Sequence, residues 1–213
     1  MDRKFIDELD LTSVRGHYNR RVNASEKLIF LLSSGSTKAY VNLALGIDDA
    51  YGNYSAADHN LGPKILGGRS EESVFKLAST LATAKSDKDV QRMIYEANIP
   101  YLKIGVGSEM AMLLRPELHW VANTRSIWSH LLVKHRSLAK ANEELTLYRS
   151  GSQESEMAYK VWCAAHTEMK SDFSKLATAG DLAASKQGVE PGPIEYIWAD
   201  AIASALYDKH VGR

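Results

Sequence analysis

A single cysteine, Cys163, stands in a chain of 213 residues. That excludes an internal disulfide and any zinc cage built from cysteine pairs, and it fits a reducing compartment. A net charge is also missing, because Lys plus Arg number 26 and Asp plus Glu number 26. A protein held to nucleic acid mainly by bulk charge is more basic, so any such binding must come from an uneven distribution of charge. Long apolar runs are absent. Leu28–Leu32 is among the longest, far too short to span a bilayer. The opening residues MDRKFIDELDLTSVRG are charged and lack the apolar segment of a secretory signal. The expectation is a soluble protein with no membrane partner, cytoplasmic, or virion-associated if viral.

Several chemical signatures are missing too. Gly35-Ser36-Thr37-Lys38 holds the ingredients of a phosphate loop in a scrambled order, and Gly105-Val106-Gly107 stands alone. Neither has the Walker spacing or the dinucleotide fingerprint, so both read as turns. There is no Gly-x-Ser-x-Gly elbow, and Cys163, beside Trp162 and Ala164, reads as a buried inert thiol. His130 and His135 are five apart and project from different helix faces, whereas metal pairs on helices need spacings of three or four. Asp48, Asp49, Asp58 and His59 show no ligand pattern and read as a solvated acidic loop. No metal and no cofactor are expected.

What is present is a core and a helical rhythm. Hydrophobic residues make up 45% of the chain, enough for a buried interior. Helix-start and helix-stop signals recur along the chain, while strand character occurs once, at Tyr101–Val106, which reads as an extended linker. The fold class is therefore all-α, with roughly eight helices. The chain is divisible into an N-terminal lobe over 1–69, ending in a long Gly/Asn/Asp-rich loop from 46 to 69, and a C-terminal helical core over 70–213.

Within that scheme residues 12–24 read as a polar, basic surface loop and Ser25 as the cap of a helix through Leu32. Ser70, Ser86, Ser108 and Thr124 read as further caps. Ser-Glu-Met-Ala occurs at Ser108–Ala111 and again at Ser155–Ala158, which reads as repeated capping chemistry. Residues 176–193 read as a hinge ending in Pro191-Gly192-Pro193. The stripe Ile194, Ile197, Trp198, Ala201, Ile202, Ala205 and Leu206 predicts an amphipathic helix over 194–209. On such a hinge it can close its own core or dock on a second copy of the chain, which makes the protein itself a candidate partner.

The one local charge bias lies between Leu118 and Asn142, a stretch without Asp or Glu. It carries Arg125, Lys134, Arg136 and Lys140, with Trp120, Trp128, His119, His130 and His135 interleaved. Cations that neutralise phosphates and aromatics that stack on bases suit an RNA backbone. Arg15, Arg20 and Arg21 can form a second wall. The first expectation is a non-enzymatic, self-associating protein that packages RNA as a coat or nucleocapsid does. Structural roles for the same residues, with tryptophans as core anchors and cations on a solvated face, stay open beside it.

The alternative is catalytic. Arg125-Ser-Ile-Trp-Ser-His130 resembles the Arg-X4-His signature of HEPN ribonucleases, small all-helical domains that act as dimers. The resemblance covers six residues, and Ser126 stands where that family often has a polar Asn, Asp or His. It implies a metal-independent ribonuclease in which His130 moves a proton and Arg125 stabilises charge on the phosphorane.

Overall fold

In the computed structural model, which describes residues 4–150 and 156–212, about a dozen helices and no strand make up the described chain. A single turn, α1 (Lys4–Asp7), precedes a long helix, α2 (Leu11–Ser33). Asp10 caps α2 by accepting from the N–H groups of Thr12 and Ser13, which satisfies two of its orphan donors. The polar stretch over 12–24 is thus helix interior, not a surface loop, and Ser25 is no cap. The buried positions of α2 are Leu11, Val14, Tyr18, Arg21, Ala24, Ser25 and Leu28. They follow helical spacing, but Arg and Ser fill places in the stripe where an aliphatic residue is the usual mark.

α3 (Thr37–Ala44) follows. The expected loop over 46–69 is mostly short helix: a 3-10 turn at Ala50–Gly52, α4 (Tyr54–Asp58) and α5 (Leu61–Gly68). Gly52 allows this segment to lie against α3, since a Cβ there would sit 1.9 Å from the Leu43 carbonyl oxygen. α6 (Glu71–Leu81) and α7 (Asp87–Ala97) begin at Ser70 and Ser86, whose side chains accept from the N–H groups of Ser73 and Asp89.

The second half of the segment read as an extended linker, from Ile104, is the start of α8 (Ile104–Leu114), every residue of which is buried. Ser108 lies inside it and accepts from the Ala122 N–H at 3.0 Å, so it is not a cap. α9 (Thr124–His135) is capped one residue earlier than expected, by Asn123, which exchanges hydrogen bonds with Ser126 in a capping box. α10 (Leu138–Ser150) and α11 (Glu156–Lys186) follow. Ser155, the second repeated cap, lies outside the described residues.

α11 runs through most of the expected hinge and leaves only a short connection before α12 (Glu195–His210). α12 packs against α11, α2 and α9 of its own chain. Gly180 permits the close approach of α11, because a Cβ there would meet Ile202 at 2.1 Å. One hydrophobic cluster runs from Ile6 to Tyr207, and each fully buried Leu, Ile or Val in it contributes about 1.5–3 kcal/mol. Among the described residues no helix is long and apolar enough to cross a membrane.

Candidate binding cleft

A cleft of about 1170 Å³ opens where α2, the 50–58 segment, α8, α9 and α12 converge. Its aromatic wall comes from residues that no motif had marked. His17 on α2 stacks on Tyr54 at 5.2 Å and 21°, and Tyr51 meets both rings edge-on at 5.7 and 5.4 Å. Arg20 lies over the Tyr51 ring at 4.8 Å, within the range of a cation–π contact. From the facing side Arg125 reaches Asp208 at 2.9 Å and Asp58 at 3.2 Å. It thereby ties α9 to α12 and to α4, with Tyr207 beside it at 5.8 Å.

The wall is held from below by three buried charges. Arg21 Nη2 lies 2.8 Å from Glu109 Oε1 on α8 and 3.2 Å from Asp200 Oδ2 on α12. Arg21 Nη1 donates to the Tyr51 carbonyl at 2.7 Å. Glu109 in turn accepts from the N–H groups of Tyr54 and Ser55 at 2.8 and 3.0 Å and from the Ser55 hydroxyl. A carboxylate on α8 thus serves the orphan amides of α4. Asn53, fully buried, adds a bond from its side-chain N–H to the Val106 carbonyl at 3.1 Å. The segment that carries Tyr51 and Tyr54 is therefore fixed by polar bonds rather than left as a mobile loop.

The electrostatics follow from this burial. Desolvation pushes the His17 pKa down to about 3, and Arg21, Arg20 and Arg125 add to the effect, so the ring is neutral near pH 7. Desolvation raises the Asp200 carboxyl, against the opposing pull of Arg21. Burial alone would lower the Arg21 pKa, but Glu109 and Asp200 outweigh it and keep the guanidinium charged. Glu8, Asp10, Asp58 and Asp208 share the cleft lining with Arg20, Arg125 and Lys209, so the rim is mixed in sign, not basic.

The structure separates the residues expected to bind RNA. Arg20 and Arg125 line the cleft. Arg21 is wholly buried beneath it and cannot reach a phosphate. Arg15 turns to the connection before α12, where it donates to the Pro191 carbonyl and faces Glu190. Lys134, Arg136 and Lys140 are exposed around the far end of α9. Trp120 and Trp128 are buried, at 1% and 0% exposure, and are unavailable as stacking platforms. Trp120 donates to the His166 carbonyl and Trp128 to the Asn142 side chain, each at 2.7 Å. Their buried N–H groups are satisfied, as core anchors require.

Arg125 and His130 are not brought together. His130, 3% exposed, binds Asp172 of α11 through Nδ1 at 2.7 Å, while Arg125 faces α4 and α12. Among the described residues no group of three acidic, His or Cys side chains is placed to hold a metal ion. No family model, no curated protein and no solved structure matches this chain.

Proposed function

We propose that the protein is a non-enzymatic binding protein for single-stranded nucleic acid, RNA or DNA, which takes unstacked bases into the cleft between α2, α4 and α9. The observation that carries this reading is the convergence of His17, Tyr51, Tyr54, Arg20 and Arg125 on one cavity from segments far apart in the chain. Rings and guanidinium planes accept any base by stacking, without sequence readout. The mixed rim and the neutral chain imply few phosphate contacts, so affinity falls only shallowly with salt.

The test is fluorescence anisotropy with single-stranded RNA, single-stranded DNA and duplex oligonucleotides over a salt series. The expected result is single-strand binding with a shallow salt slope. Tyr51→Ala and Arg20→Ala should each weaken it by about 1–3 kcal/mol. Duplex binding as tight as single-strand binding, or full binding by both variants, would count against the reading. The Arg125/His130 ribonuclease alternative gains no support, because the two side chains serve different sides of α9.

A further inference from the structure

The turn between α7 and α8 carries a residue that its backbone does not favour. Leu102 donates its N–H to the Ile99 carbonyl at 3.2 Å, with Pro100 and Tyr101 between them. Tyr101 has φ +63. Pro at the second place and a positive φ at the third are the marks of a type II turn, whose third place belongs to Gly or Asn. A tyrosine there is strained by its Cβ. Among the described residues the packing accounts for the turn but not for a tyrosine in it. Ile99 and Leu102 on either side are buried, at 2% and 1% exposure, while Tyr101 is 48% exposed. The turn is thus pinned by its neighbours and the ring is left out. Tyr101 is one of the residues lining the cleft, and among the described residues its ring makes no hydrogen bond or ring contact.

The other tyrosines of the cleft wall each share their rings with a neighbour of the same chain. Tyr54 has His17 on its face and the Arg21 guanidinium over its ring, and Tyr51 has Arg20. Among the described residues Tyr101 is a cleft-lining tyrosine that has no such neighbour.

We infer that Tyr101 is the entry platform of the cleft, on which a nucleobase unstacked from its strand lies face to face. This rests on the reading of the cleft as a single-strand site. The backbone strain is retained because it sets a wide, free π-face at the opening, and base–aromatic stacking needs only that face.

The experiment uses the full chain and a single-stranded oligonucleotide carrying one 2-aminopurine, whose fluorescence is quenched by stacking. Wild type and Tyr101→Phe should bind alike and quench alike. Tyr101→Gly should bind about tenfold more weakly, lose the quench and melt at the same or a higher temperature, since the turn is relieved. Tyr101→Asn, which also tolerates the left-handed backbone, separates loss of the ring from added flexibility, and it should behave as the Gly variant does. Tyr101→Asn with wild-type affinity and quench, while Tyr51→Ala is impaired, overturns the role of Tyr101 and leaves the cleft reading intact. No binding of any oligonucleotide by the wild type overturns both.

Discussion

The two ends of α9 use positive charge in opposite ways. At the N-terminal end Arg125 is held by Asp58 and Asp208 above a floor of Arg21, Glu109 and Asp200. At the C-terminal end Lys134 and Arg136 extend into solvent beside Lys140, and none of the three forms an ion pair with a described residue. The acid-free stretch that marks this region in the sequence is thus two surfaces about a dozen residues apart, which is roughly 18 Å along a helix. A cation locked between carboxylates fixes geometry. A free cation offers only screened attraction. The locked end is the one that shapes a cavity.

The comparison breaks most sharply at Arg21. Arg21→Ala leaves Glu109 and Asp200 facing each other without a counter-ion, and it should cost about 3–5 kcal/mol. Arg136→Ala, at the free end, should change stability by under about 0.5 kcal/mol. Equal losses in urea unfolding would erase the distinction drawn here.

Acidification is the next largest effect. His17 and His166 have pKa values lowered by burial to about 3 and about 4. Below about pH 6.5 the unfolded chain binds protons that the folded one refuses, so stability is full above that pH and is lost on the way down. Asp200 works the other way: its raised carboxyl keeps a proton in the folded state that the unfolded state has released, which adds stability between about pH 6 and 4. His119 and His210 are lowered by burial as well and Asp181 is raised, so the imidazoles outweigh the carboxyls and stability falls by at least about 2 kcal/mol from pH 7 to 5. A melting temperature that rises over this range would contradict the assignment of buried neutral imidazoles.

His130→Ala is expected to cost about 1–3 kcal/mol, because Asp172 loses a buried partner. It should leave oligonucleotide binding unchanged. Impaired binding in a variant of wild-type stability would bring His130 back into a functional site. The smallest effect is expected for Lys134→Ala, with unchanged stability and an unchanged salt slope of binding. A slope lower by about one unit would show that the exposed end of α9 carries phosphate contacts.

Much of the helical frame was legible in the sequence. Ser70 and Ser86 cap as expected, and a helix forms where the 194–209 stripe predicts one, although it is buried nearly all round instead of being amphipathic. The all-α class follows from those signals. Only the start of α8 escaped, since the helix expected from Ser108 begins at Ile104, and its buried first turn has no polar face to give a period. Its Ile-Gly-Val-Gly start also lowers helix propensity. The helices within 46–69 are too short for periodicity to register. In the cleft, Arg20 and Arg21 look alike on paper, and only the folded chain brings Glu109 and Asp200 to one of them. The tyrosines at 51 and 54 lay in a segment whose Gly, Asn and Asp content reads as loop, so no local signal marked them. A buried carboxylate that caps a helix from elsewhere in the fold, as Glu109 does for α4, leaves no trace in local sequence.

The placement of α12 has a consequence for biosynthesis. It lies against α2, α9 and α11, with Tyr196–Ser204 continuously buried, yet it is translated after all of them. During elongation those three helices must wait with their apolar faces uncovered. Asp200 reaches Arg21 only once α12 emerges from the ribosome. The nascent chain therefore passes through a stage in which the lining of its future interior is exposed, and at that stage a holdase chaperone has the most to bind.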